Sequence, residues 1–287
     1  MERIALLLFA CLLLSAGCLA ADESPAEAGV SLIAPGDPVP IFDGQATYAG
    51  IIGSETSQIQ ANYSMGVVAI APGNATPPHR LIGTAELVYV LAGTAEIRCD
   101  NETVTAHEGE TVLLPEGVLQ SIASVGDADL RYITVSQPAY MPEIEITGDD
   151  LAALNLTTNG RPIVVADPHE GIEWDLESGV AAFTLINPAL MNETAIPVGY
   201  SVAYVVLLPG GYLGFDGIRG SSDLLYVIEG EIEVATPDGD AIRVPAGSAA
   251  YVPPDTVKET RNALNSTTII LSFIDPAWTP EKTGLWK

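Results

Sequence analysis

Cysteine and basic side chains are the two things this chain has least of. Only three cysteines occur in 287 residues. Cys11 and Cys18 fall in an N-terminal apolar stretch, so a chain matured beyond them keeps Cys99 alone and has no disulfide framework. Stability must then come from burial, and Cys99, set in an alternating strand pattern, is expected to be a buried, inert thiol. Lys and Arg number 11 against 37 Asp and Glu, a formal net charge of -26. A phosphate backbone needs a basic footprint that such a chain cannot supply, which excludes nucleic acid as a partner, and an anionic lipid surface is repelled as well. Histidine is scarce, at three residues. There is no Ser-His-Asp order, phosphate-cradling glycine loop, zinc knuckle or basic stripe, and no long stretch keeps a helical period.

What is present begins with an export signal. Met1-Glu-Arg3 is followed by an almost wholly apolar run from Ile4 to Leu14 and then by Ser15-Ala16-Gly17-Cys18. An apolar run of roughly a dozen residues matches a secretory h-region and is too short to span a bilayer. The small residues before Cys18 resemble a lipobox, in which the cysteine is lipidated and becomes the mature N-terminus, although Ser15 stands where that motif prefers Leu. Cleavage after Ala20 or Ala21 is the alternative. Residues 1–20 therefore read as the signal segment, and 21–40, rich in Ala, Glu, Ser, Pro and Gly, as a flexible tether. The membrane would be met through the lipid anchor alone.

Asparagine placement points to the same compartment. Asn62, Asn74, Asn101, Asn155, Asn192 and Asn265 each open an Asn-x-Ser/Thr triplet, whereas Asn159, Asn187 and Asn262 do not. Chance would give about one such triplet in this composition. An N-glycosylated, extracytoplasmic protein, held at the cell surface or secreted, is the expectation.

From about residue 41 to Ser272, short runs of Val, Ile, Leu and Tyr alternate with Gly, Pro, Asn and Asp turns, which predicts an all-β fold. A short helix is expected around Gly148–Leu154, where acidic residues precede a brief apolar stretch. The runs also repeat. Asn62 to Gly73 matches Gly199 to Gly210 at an offset of 137, which also carries Glu86-Leu-Val-Tyr-Val-Leu-Ala-Gly93 onto Asp223-Leu-Leu-Tyr-Val-Ile-Glu-Gly230. After one inserted residue, Gly109 to Pro115 matches Gly247 to Pro253, and Gln137 to Glu143 matches Asp275 to Glu281. The chain is a tandem duplication of one β domain. The copies are placed at 41–143 and 166–287, joined by a linker over 144–165.

These residues resemble the cupin superfamily, and specifically a bicupin, two tandem RmlC-like jelly rolls. Gly73, His79, Glu86 and Gly93 fit the family's first motif, and Gly109, Pro115 and Gly117 its second. Two ligand places depart: Leu81 stands for the second His and Gln120 for the last. In the second copy the four ligand places hold Asp216, Ile218, Asp223 and Lys258, while Gly210, Gly230, Gly247 and Pro253 keep the scaffold. The resemblance implies two jelly-roll barrels whose inward faces form pockets, and it extends over nearly the whole mature chain. It does not select an activity, because cupins host many.

For the first pocket, the resemblance implies either one divalent metal (Mn, Fe, Ni or Zn) held by His79, Glu86 and Gln120, or no cofactor, with His79 and Glu86 hydrogen-bonded in an empty pocket. Neither His107, read as exposed, nor His169, in the acidic segment Asp167–Glu170, restores the lost imidazoles. In the second pocket Asp216 and Asp223 would share the Lys258 ammonium where a metal would have stood. Arg80 and Arg219, scarce cations near the barrel mouths, are candidates for an anionic ligand or for solvated salt bridges. Tyr89 and Tyr226, at equivalent places in the duplicated strand, read as core.

The preferred reading is an exported bicupin with degraded metal sites, a non-catalytic small-molecule-binding or structural protein of the cell envelope with an archaeal-like, acidic and sequon-rich character. The alternative is a metal-dependent cupin enzyme, ureidoglycine aminohydrolase-like or oxalate decarboxylase-like, using the first domain's site. Partners would be an unidentified small molecule and, by fold analogy, a second copy of the chain.

Overall fold

The computed structural model describes residues 29–53, 59, 61–176, 178–191 and 195–285. The signal segment with Cys18, the first part of the tether, Asn192 and Trp286 lie outside the described residues. The fold is all-β, and each half is a sandwich of a large and a small antiparallel sheet. In the first half the large sheet runs, in spatial order, Ile163–Val165, Thr111–Leu114, Ala85–Ala92, Leu130–Gln137, Ser64–Ile70, Ala46–Ile52 and Val39–Ile41. The small sheet runs Glu145–Thr147, His79–Leu81, Gln120–Ser124, Thr94–Cys99 and Glu102–His107. In the second half the large sheet is Ser31–Ile33, Ala249–Val252, Ser222–Glu229, Thr268–Asp275, Ser201–Leu207, Val180–Ile186 and Ile172–Asp175, and the small one Tyr212–Asp216, Lys258–Asn262, Glu231–Ala235 and Ala241–Pro245. Among the described residues one α-helix, Gly148–Leu154, forms where expected.

The continuous apolar run Leu87–Leu91 has a simple cause. A strand that alternates polar and apolar residues has one wet face; a strand buried on both faces has none. Val88 and Val90 point into the first barrel, with Ile97, Cys99, Ile122 and Tyr132. Leu87 and Tyr89 point the other way, into a core shared with Leu224, Tyr226, Phe273 and Tyr200 of the second half. The two large sheets therefore pack against each other, and each also closes its own barrel. By contrast Thr94–Cys99, with only one covered face, alternates between buried and exposed.

Two stretches differ from the sequence expectation. Within the described part of the 21–40 tether, Ser31–Ile33 is a strand, and it pairs with Ala249–Tyr251 of the second half. Within the 144–165 linker, Ile163–Val165 pairs with Thr111–Leu113 of the first half, and Glu145–Thr147 extends the small sheet by pairing with His79–Leu81. Each half thus sends the strand that precedes it onto the edge of the other half's large sheet. Three-residue strands flanked by Pro, Gly and Asp are too short to show a period, so composition alone reads them as linker.

The motif glycines at the strand ends are required by geometry. Gly93 has φ 82°, and a Cβ there would stand 2.6 Å from the Asp129 carbonyl oxygen; its counterpart Gly230 has φ 85°, with Thr268 Oγ1 at 2.3 Å. Both the left-handed backbone and the close approach exclude a side chain.

Candidate functional site: two matched barrel pockets

His79 and Gln120 face each other across the small sheet as directly paired strand residues. Glu86 comes from the opposing large sheet. All three side chains are buried. His79 Nδ1 lies 2.8 Å from the Pro77 carbonyl, which can only accept, so the ring proton sits on Nδ1 and Nε2 offers a lone pair. The Gln120 amide nitrogen donates to that Nε2 at 3.1 Å and also to Glu86 Oε2. The other carboxylate oxygen, Oε1, accepts from Thr134 Oγ1 at 2.6 Å. Phe42 packs its ring 5.4 Å from that of His79. His79 and Glu86 are thus joined through Gln120 and not directly, as the sequence suggested. Leu81 is buried beside them.

As arranged, this donor set is satisfied internally and not poised for a divalent first-row metal. The converging lone pairs of His79 and Glu86 are both taken by the Gln120 N–H2 group, and a metal held by the three would need that amide turned to present its oxygen. Leu81 removes the remaining imidazole. Among the described residues no three His, Cys, Asp or Glu side chains come together as a metal-holding group.

The second pocket is built the same way from the equivalent positions. Lys258 and Asp216 are directly paired across the small sheet, and Asp223 comes from the large sheet. Lys258 Nζ stands 3.2 Å from Asp223 Oδ2, both side chains close to fully buried. Ser272 Oγ, the counterpart of Thr134, donates to Asp223 Oδ1 at 2.7 Å. Asp216 is also engaged by backbone: its carboxylate accepts from Gly217 N at 2.8 Å, Gly284 N at 3.0 Å and Leu285 N at 2.9 Å. The ammonium pairing is as expected for Asp223, and Asp216 additionally anchors the C-terminal segment. The sequence reading missed Thr134 and Ser272, although both fall at matching positions of the duplicated strand.

Neither arginine offers a free fork to an anionic ligand. Arg80 is buried: Nη1 donates to the Gly117 carbonyl at 2.6 Å and Thr158 Oγ1 at 2.7 Å, Nη2 donates to the Leu156 carbonyl at 3.1 Å, and Asp100 lies 3.7 Å away. Asp100 is itself buried, which opposes its ionisation, yet hydrogen bonds from Leu119 N, Thr158 Oγ1 and Gly160 N and the nearby Arg80 hold its carboxyl below the ordinary range. Arg219 donates to the carbonyls of Glu281, Thr283 and Gly284. Each arginine therefore ties down the segment of chain that follows its own barrel.

The remaining candidates are placed as follows. His107 is exposed at the end of Glu102–His107. His169 lies away from both pockets, its Nδ1 2.9 Å from Asp167 Oδ1. Cys99 is buried and its thiol is pushed up to about 12, by burial first and then by Asp100 and Glu102. The described triplet asparagines Asn62, Asn101, Asn155 and Asn265 are exposed and Asn74 is half-buried. Asn187 and Asn262, outside any triplet, are buried with their amides donating to backbone carbonyls.

Two sandwiches of this topology, joined through their large sheets, define a tandem jelly-roll protein. A family model described as "Cupin domain" matches residues 66–136. The uncharacterized protein MJ1618 of Methanocaldococcus jannaschii is 30% identical over 76 residues, covering 26% of this chain and 61% of that protein's own length. The oxalate decarboxylase of Lactobacillus farciminis, in its formate complex, superposes with a TM-score of 0.69 at 13% identity over 90% of this chain and 89% of that one. The oxalate decarboxylase of Bacillus subtilis gives 0.67 at 14% identity over 88% and 77%. A cupin domain thus lies within the first half, and the chain as a whole has the two-barrel fold of these bicupin structures.

Proposed function

We propose that this bicupin is a non-catalytic small-molecule-binding or structural protein of the cell envelope, exported and either lipid-anchored at Cys18 or secreted. The observation that carries this reading is that each ligand constellation is closed by a nitrogen of the chain itself, the Gln120 amide in one barrel and the Lys258 ammonium in the other. The surface placement of the described triplet asparagines supports an N-glycosylated exterior.

Metal analysis of protein purified without chelator tests the reading. Less than about a tenth of an equivalent of Mn, Fe, Ni or Zn is expected. One equivalent that disappears in His79→Ala would overturn this reading in favour of a metal site in the first barrel. Mass spectrometry of the native protein tests the location: a lipidated Cys18 or a new N-terminus at residue 21 or 22, with glycan on the triplet asparagines, is expected. An intact signal segment with all six sites bare would sink it.

A further inference from the structure

One end of the second half carries an apolar patch that the duplication did not place on the first. Three loops meet there, those that follow Ile172–Asp175, Ser201–Leu207 and Lys258–Asn262. Backbone bonds join the first two: Leu208 N donates to the Gly179 carbonyl at 2.9 Å, and Tyr212 N to the Ser178 carbonyl at 3.2 Å. The buried Asn262 amide joins the third. Its nitrogen lies 3.0, 3.0 and 2.7 Å from the carbonyl oxygens of Leu207, Leu208 and Ser266, and its oxygen accepts from Leu264 N at 2.8 Å. Leu176, Leu208, Tyr212 and Leu264 thus share one end of the barrel, each between 38% and 52% exposed. Among the described residues of these loops none is charged, in a chain with 37 Asp and Glu. Asn265, exposed on the third loop, opens the triplet Asn265-Ser-Thr267. Aligning the repeats puts Ala71, Ala75 and Gly126 where Leu208, Tyr212 and Leu264 stand, and Asp127 where Asn265 stands. The large apolar residues and this triplet therefore occur together, and the twin has neither at these places. The triplet at the twin end, Asn74 to Thr76, is instead partly folded in: Asn74 is half-buried, and Thr76 Oγ1 accepts from Ile122 N at 2.9 Å.

We propose that this patch is the seat of a glycan on Asn265, whose first sugars lie back over Tyr212, Leu208 and Leu264 and cover them. The inference rests on the reading of an exported, N-glycosylated protein. A cluster of exposed apolar side chains is an association liability unless something covers it. A pyranose ring has the chemistry to do so: its C–H face is apolar and stacks on the electron-rich face of an aromatic ring, while its hydroxyls stay in water. The attachment point is placed for it. Asn265 follows the exposed Leu264 directly, and the Asn262 bonds hold its loop against Leu208. Asn101 supplies the contrast within the same chain, because it is exposed between Asp100 and Glu102 and has no such apolar neighbour in sequence. A sugar there adds solubility, whereas the sugar on Asn265 also replaces water over an apolar surface.

The test uses the full mature chain made in a glycosylating host, with peptide mass spectrometry to read each triplet, anilinonaphthalene sulfonate fluorescence to read exposed apolar surface, and sedimentation velocity to read self-association. Glycan on Asn265 and low dye fluorescence are expected for the parent. Asn265→Gln, and independently Thr267→Ala, which keeps the asparagine but breaks the triplet, should each raise the fluorescence by roughly threefold or more and add self-association at high concentration. Asn101→Gln should change neither. Adding Leu208→Ser and Tyr212→Ser to Asn265→Gln should return the fluorescence to the parent's level, which ties the signal to the patch and not to loosened folding. Fluorescence unchanged in both triplet variants, or raised equally by Asn101→Gln, overturns the proposal. So does a bare Asn265 in a chain whose other triplets carry glycan; if that chain sediments as a dimer, the patch belongs to a second copy. All six triplets bare would instead remove the glycoprotein reading on which the proposal stands.

Discussion

The two barrel pockets share a scaffold and a hydroxyl but differ in what sits at their centre. Glu86 and Asp223 come from equivalent strands, and each accepts from an equivalent hydroxyl, Thr134 or Ser272. In the first barrel the carboxylate's other oxygen meets a neutral amide; in the second it meets an ammonium. A buried carboxylate needs donors, and a cation is one way among several to supply them. The duplication shows both ways within one chain, so the sharpest experiments are those that remove one solution and leave the other.

Lys258→Ala should have the largest effect. Removing one partner of a buried ion pair strands the other, which costs about 3–5 kcal/mol. Urea unfolding reads it, and Asp223→Ala added to Lys258→Ala should restore a substantial part of the loss, because the stranded charge is then gone. A double variant as unstable as Lys258→Ala would show that the lysine acts through packing of its stem and not through the carboxylate.

Gln120→Ala should cost less, about 1.5–3 kcal/mol for a hydrogen bond to a charged group, since Thr134 still serves Glu86. The same pocket should be convertible where the second is not. With Leu81→His and Gln120→His together, two imidazoles join His79 and Glu86, and a thermal midpoint that rises on adding Zn or Mn is expected. No rise in that variant would mean that the barrel walls no longer allow the converging geometry. Thr134→Val and Ser272→Ala should then lie close to each other at about 1–3 kcal/mol, because the two hydroxyls make the same bond. A cost confined to one half would break the equivalence on which the comparison rests.

Much of the fold was legible, for a physical reason. Positions such as Gly93 and Gly230 tolerate no side chain, and strands such as Leu87–Leu91 are buried on both faces, so the two copies kept the same pattern and the offset exposed the domain count. The candidate site was partly legible: His79, Glu86 and Gln120 do converge, as do Asp223 and Lys258. What composition could not reveal were contacts made by backbone or across the halves. Arg80 and Arg219 looked like ligand partners because scarce charges near a barrel mouth invite that reading, yet their partners are mostly carbonyl oxygens of segments distant in sequence. The arms Ser31–Ile33 and Ile163–Val165 looked like linkers because three residues carry no period. Tyr89 and Tyr226 were rightly read as core.

The smallest effect concerns a pair that the duplication made unequal at the junction of the halves. Gln137 and Asp275 are equivalent, and only the second ionises. Burial raises the Asp275 carboxyl above the ordinary range, and the Gln137 side chain, the backbone amide of Asn62 and the charge of Lys282 offset this only in part. A carboxyl whose folded value is raised weakens the fold wherever it is forced to ionise, and that penalty fades as the pH falls through the folded value. Asp100 has the opposite sign: its lowered carboxyl contributes stability above the ordinary carboxylate range, lost as the pH falls through its folded value. Asp275→Asn, which keeps an oxygen to accept from Asn62, is therefore expected to be more stable than the parent at pH 7 and no more stable near pH 3. Asp100→Asn should be less stable at pH 7, with the difference shrinking in acid. Urea midpoints measured across that range decide both. An Asp275→Asn protein weaker than the parent at pH 7 would mean that the charge at this junction is held by its neighbours more strongly than burial opposes it.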